Sequence, residues 1–174
     1  MCLQKTYKVG DYYNKNGKEG IVFWVHETGE HGKIVSLTQD VLAWTTRDQF
    51  ASRIAVNAGC EIDGKANTYA VMSRPDSAEY PAFVWCRSMG EDWYLPALWE
   101  MEFLTLDQTV RDKVNRTLKE RSATEISYYG LYYWTSTEHP QNEPYLAYCI
   151  DVAENCAKEC RKDLMMNVRA IATF

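Results

Sequence analysis

The residues of this chain that could do chemistry gather in its last third. Gln141-Asn142-Glu143-Pro144-Tyr145 sets a carboxylate and two amides beside a proline, oxygen groups of the kind that calcium takes. Calcium needs six or more oxygens. Tyr145 adds neither carboxylate nor amide, and the next strand offers only Cys149-Ile150-Asp151. The stretch therefore reads as an exposed turn, and no metal site is expected. Cys156 and Cys160 form a close pair, but a structural zinc site takes four ligands, and His26, His31 and His139 have no spacing that completes one. His26-Glu27 and Glu30-His31 flank a glycine turn. Acid–base catalysis would need a nucleophile or a cleft beside them; none is visible, so a solvated hairpin tip is expected. The strongest binding candidates are the tyrosines 128, 129, 132, 133, 145 and 148. Tyrosine offers rigid contact area at low entropic cost and can stack on sugar rings or fill partner pockets. Strand residues alternate between faces, so only some of the six can share an exposed surface. The expected surface comprises Tyr128, Tyr132, Asn142, Glu143, Tyr145, Tyr148 and Asn155, with no catalytic residue and no cofactor.

Composition narrows the partners. The 174 residues suit one domain with a sizeable core. Net charge is −5 and no basic stripe is present, which disfavours nucleic acid, where phosphate contacts dominate affinity. No apolar run is long enough to span a membrane. The start, Met1-Cys2-Leu3-Gln4-Lys5-Thr6, lacks the apolar core of a signal peptide, so the chain reads as intracellular or as a mature or trimmed form, with Cys2 a candidate lipidation site. Six cysteines permit disulfides, but a chain of this size does not depend on them. Free buried cysteines are expected, with Cys156 and Cys160 either bridged to each other or free.

The elements that must position these residues run strands, helices, strands. Strands are expected over 7–13, 21–25 and 33–37, with a turn cluster at 14–20 and a hairpin turn near Thr28-Gly29-Glu30. A short helix is expected over 48–59. A longer one over 65–89 is broken at Arg74-Pro75, with Phe83, Val84, Cys86 and Met89 on its apolar face. After the extended Trp93-Tyr94-Leu95-Pro96, one helix carries Leu98, Met101, Phe103 and Leu104, and another over 107–122 stacks Val110, Val114 and Leu118. Strands follow near 131–135, 145–152, 156–162 and 165–173. This order argues for an α+β fold, helices beside a mainly antiparallel sheet.

Four blocks then carry a resemblance: Gly20 to Leu37; Trp93-Tyr94-Leu95-Pro96 with Glu100 and Leu104; Tyr133-Trp134-Thr135-Ser136-Thr137-Glu138; and Val168-Arg169-Ala170-Ile171. Through them the chain, over residues 9–174, resembles the bacterial collagen-like-protein C-terminal domain family, which is placed within the C-type-lectin-like fold. The resemblance implies antiparallel sheets with two or three helices, termini that lie together and a short last strand returning beside the early ones. It makes Trp93, Leu95, Pro96, Trp134, Ser136, Glu138 and Arg169 parts of the fold signature. Trp134 would pack in the core, Thr135 to Thr137 would close a bend, and Glu138 would hydrogen-bond buried backbone. It implies a non-enzymatic module at the cell surface that binds a glycan or protein. Two other readings attach to the same fold: a phage or diversified receptor-binding protein, and a cysteine oxidase of the formylglycine-generating type using Cys156 and Cys160.

Overall fold

Two residues turn the first hairpin. Asn16 (φ 54°) and Gly17 (φ 74°) both take positive φ, as in a type I′ turn whose twist matches paired strands. They join β1 (Tyr12–Lys15) to β2 (Lys18–Val25). The computed structural model describes residues 5–174, so Cys2 lies outside it. β3 (Gly32–Val35) pairs antiparallel with β2 across the expected glycine turn. The chain then leaves this sheet and does not return to it until Trp93.

β4 (Asp40–Ala43) opens a second sheet. The helices α1 (Arg47–Ser52), α2 (Gly64–Met72) and α3 (Pro81–Ser88) follow, with a 3₁₀ turn at Ser77–Glu79. β5 (Trp93–Tyr94), α4 (Leu98–Thr105) and α5 (Gln108–Glu120) come next. The rest is β6 (Tyr132–Glu138), β7 (Leu146–Asp151), β8 (Cys156–Arg161), β9 (Met165–Val168) and β10 (Ile171–Thr173). One sheet has the order β1-β2-β3-β10-β5 and the other β4-β9-β6-β7-β8. Every pairing is antiparallel except β6 with β9. The molecule is thus α+β, with two antiparallel-rich sheets and five α-helices among the described residues, more than the two or three that the resemblance implies. No helix among them is long and apolar enough to cross a membrane.

β2 shows why the core has two halves. Its side chains alternate: Ile21 and Phe23 meet Val110, Val114 and Leu118 of α5 together with Met101 and Leu104 of α4. Val22 faces the other way, into a cluster with Ile34, Trp44, Phe83, Leu95 and Trp134. The spacing of Val110, Val114 and Leu118 in the sequence therefore marks a real buried stripe. The last strand returns between β3 and β5, and the Phe174 ring packs against Tyr7 and Tyr13 at 5.1 and 4.6 Å. The ends of the described chain lie together.

Several expectations need correction. The turn expected over 14–20 is confined to two residues, and β1 starts five residues later than position 7. The helix expected over 48–59 stops at Ser52, because Arg53 (φ 56°) enters the left-handed region and ends it. Val84 on α3 is 39% exposed, so the apolar face there is Ala82, Phe83 and Cys86. Thr135 to Thr137 do not close a bend. They lie within β6, where the register against β7 shifts between Trp134 and Glu138. The strand expected over 165–173 is two strands in different sheets, parted at Arg169-Ala170. β4 went unforeseen. Cys149 and Cys160 are joined in a disulfide across β7 and β8. The expectation of free cysteines fails for them, and no Cys156–Cys160 bridge exists.

Candidate ligand-binding site

The Trp93–Pro96 and Tyr133–Glu138 blocks meet and hold each other. The backbone N–H of Ser136 donates to the Pro96 carbonyl (2.7 Å), and its hydroxyl accepts from the Asn67 amide (3.0 Å). Leu98 N–H donates to Thr137 Oγ1, and Leu95 N–H to Thr68 Oγ1. The buried Glu100 carboxylate accepts from the N–H groups of Gly64 and Ala97 and pairs with Lys33. Trp134 Nε1 donates to Leu42 O. Trp93, Leu95, Pro96, Trp134, Ser136 and Glu138 are all buried. Each is therefore packed into the fold.

Glu138 does the work that bears on a site. Its carboxylate accepts from Val56 N–H and Ala58 N–H at 3.0 Å each, fixing the irregular stretch after α1. It also pairs with Lys162 Nζ at 2.5 Å, both side chains being about 1% exposed. Lys162 lies 4.2 Å from the centre of the Trp44 ring and donates to the Glu143 carbonyl. Burial pushes its ammonium down from the ordinary lysine value, against the pull of Glu138. Its backbone is equally committed: Thr45 N–H donates to Lys162 O, and Lys162 N–H donates to Tyr145 O. Lys162 thus ties the lead-in to α1 to the turn before β7. The sequence reading passed over it. The available signal was strand parity, since Lys162 continues the inward face of Cys160.

That tie brings α1 and Tyr145 together. α1 is capped by Thr46 Oγ1, which accepts from Gln49 N–H, and is anchored by Gln49 to Asp76 and the Tyr80 hydroxyl. Phe50 from α1 meets Tyr145 edge to face at 5.8 Å. Around these rings lies an open concavity of about 380 Å³ lined by Arg47, Phe50, Ala51, Arg53, Tyr145, Arg161 and Asp163. The Arg53 guanidinium sits 5.6 Å from the Tyr145 ring centre and that of Arg161 sits 5.1 Å from Phe50. Cation–π contact of this kind orients a guanidinium. Asp163 takes Arg161 in a two-point pair through Nε and Nη2. Among the described residues neither Arg47 nor Arg53 has a carboxylate partner. Beyond the Glu143–Tyr145 stretch, a second concavity of about 560 Å³ is lined by Ala55, Asn57, Gly59, Glu138, Pro140 and Glu143.

The seven residues expected to form one surface are divided. Asn142, Glu143 and Tyr145 belong to the turn beside the cleft, where Asn142 O accepts from Tyr145 N–H and Leu146 N–H. Tyr132 lies opposite Asp151, at the far end of β7. Six residues of strand put the two ends roughly 20 Å apart. Tyr132 is 38% exposed beside Asp151 and Lys158. Tyr128 donates to Asp112 beneath Arg111. Asn155 (φ 54°) makes the β7–β8 turn, a left-handed position that asparagine tolerates. Tyr148 is half-buried at 5.4 Å from the His139 ring, whose Nε2 lies 3.0 Å from Glu159. The cysteine pair expected of an oxidase is not assembled, because Cys160 is bound to Cys149 and Cys156 is free. Among the described residues no group of three or more His, Cys, Asp or Glu is placed to hold a metal.

No family model and no curated protein matches the chain. Among solved structures it is similar to a fimbrial protein from Bacteroides ovatus ATCC 8483, at a TM-score of 0.73 and 17% sequence identity. The match covers 97% of this chain and 49% of the other, so the chain spans about half the length of that protein. At this identity the likeness establishes a shared fold, and the fold observed here is the one that a fimbrial protein also adopts.

Proposed function

We propose that the chain is a non-enzymatic, surface-associated binding module of C-type-lectin-like fold, and that it recognises a surface glycan or a protein at the cleft around Phe50 and Tyr145. The observation that carries this is the convergence of Phe50, Tyr145 and three arginines from α1, its cap and the end of β8 on one open concavity. Aromatic rings with oriented polar groups are the usual furniture of recognition sites. Guanidinium groups hold their charge across the ordinary pH range and so suit binding better than proton transfer. The shared fold with a fimbrial protein supports an adhesive or assembly role. The Cys149–Cys160 disulfide supports a compartment outside the reducing cytosol. The short last strand between β3 and β5 is what the resemblance to the collagen-like-protein C-terminal domain family leads one to expect.

The test is a glycan array probed with the wild type, Tyr145→Ala and Tyr132→Ala, each with calcium and with EDTA. Glycan binding that survives EDTA, falls at least tenfold in Tyr145→Ala and persists in Tyr132→Ala is the expected result. Binding that depends on calcium, or on Tyr132 and not Tyr145, would move the site elsewhere.

A further inference from the structure

From the same cleft, and resting on its reading as a binding site, we infer that the ligand is a saccharide carrying a carboxylate, held by Arg53 and Arg161. The chain as a whole is acidic, with 24 Asp and Glu against 19 Lys and Arg. Its surface chemistry alone would repel an anion. The cleft runs against that balance: three of its lining residues carry guanidinium groups and one a carboxylate, and that carboxylate, Asp163, is already engaged by Arg161. Arg47 and Arg53 come from the two ends of α1 and Arg161 from the end of β8, so the fold brings the two segments together.

Their placement fits a planar anion. A carboxylate is best met by a guanidinium fork, with two parallel N–H···O bonds. The Asp163 pair occupies Nε and Nη2 of Arg161 and so sets the plane of the group, leaving Nη1 without a partner among the described residues. Arg53 is set in a different way. It is a non-glycine residue at φ 56°, at the C-terminal cap of α1, where glycine or asparagine would sit at lower cost. That backbone geometry accompanies the placing of its side chain over Tyr145. Strained positions of this kind gather at functional sites, where the rest of the fold holds them. Holding both guanidinium groups against aromatic rings lowers the entropy lost when a ligand arrives.

The rings argue for a saccharide. Phe50 and Tyr145 supply apolar surface between the cations, which suits the C–H faces of a pyranose. About 380 Å³ is near the lower end of ligand-sized clefts, matched to one or two rings and small for a helix or an extended peptide.

The experiment measures binding of the wild type to oligogalacturonides and to sialyl-oligosaccharides by calorimetry, each against its methyl ester, with poly-L-glutamate as the acidic peptide. Arg53→Gln and Arg161→Gln are tested beside Arg116→Gln on the exposed face of α5, all checked for a native melting transition. The acids are expected to bind at least tenfold tighter than the esters, with an affinity that falls as salt rises. Arg53→Gln and Arg161→Gln should each erase that preference and Arg116→Gln should not. Equal binding of acid and ester, or a preference indifferent to both arginines, overturns the inference. Poly-L-glutamate binding as tightly through the same arginines overturns the saccharide assignment. Binding of neutral glycans alone, lost in Tyr145→Ala, sinks this inference and leaves the binding module standing. Failure to bind any of these saccharides sinks this inference too.

Discussion

Lys162 and Glu138 are the pair on which the cleft is built, and their cost when broken should be unequal. Each is about 1% exposed, so removing one leaves the other's charge in the interior. Glu138→Gln strands an ammonium whose remaining neighbours are the Trp44 ring and the Glu143 carbonyl. A loss of about 3–5 kcal/mol is expected, the usual toll for an unpaired buried charge. Lys162→Met strands a carboxylate that still accepts from Val56 and Ala58 N–H, so its loss should be smaller. The double substitution should recover part of the larger loss. Urea unfolding of the three variants checks this: midpoints should move with slope unchanged, and losses that simply add would mean the pair is not coupled. The sequence pointed to Glu138 through its block and to nothing at Lys162. A lysine beside Arg161 and Asp163 looks solvated, and only the parity of β8 turns it inward.

At the scale of elements, what a strand can reach decided which expectations failed. Two residues four apart on one strand have Cα atoms roughly 13 Å apart, beyond the ~7 Å that a disulfide spans. Cys156 and Cys160, both in β8, could never bridge. Cys149 and Cys160 sit on paired strands, offset by two residues in register and so on one face, with Cα atoms 6.1 Å apart. That choice needed the β7–β8 register, which periodicity alone does not give. The same limit explains β4, whose four residues, two exposed and two half-buried, carry too short a pattern to read. α5 was legible because thirteen residues repeat one stripe. The disulfide closes a short loop between β7, which follows Tyr145, and β8, which ends at Arg161. Cys149→Ala with Cys160→Ala should therefore cost about 3 kcal/mol, and reductant should lower the wild-type melting midpoint while leaving the double variant unmoved. An unshifted wild type would mean the bridge is absent from the folded protein.

The whole molecule is closed by its last few residues. The resemblance implies a returning strand, but the sequence alone reads 165–173 as one piece because Val168 to Ile171 holds no turn residue. What parts it is Arg169, fully buried and without a carboxylate partner among the described residues. Its guanidinium donates to the carbonyls of Ser36, Thr38 and Thr124, and burial pulls it down to about 10. Those carbonyls lie where the chain crosses between sheets after β3 and where it leaves α5, so a single side chain ties both places to the β9–β10 crossing. Beyond it, β10 supplies the only bridge among the described strands between β3 and β5. Ending the chain after Ala170 would remove that bridge, leave β5 unpaired, and strip Phe174 from Tyr7 and Tyr13. β5 leads directly into the Pro96 carbonyl that holds Ser136, so the damage would reach the second sheet. The truncated chain should therefore lose its cooperative melting transition altogether, with collapsed amide dispersion across both sheets in NMR spectra. Native dispersion retained in β6 to β8 would mean that the second sheet and its cleft fold without the first.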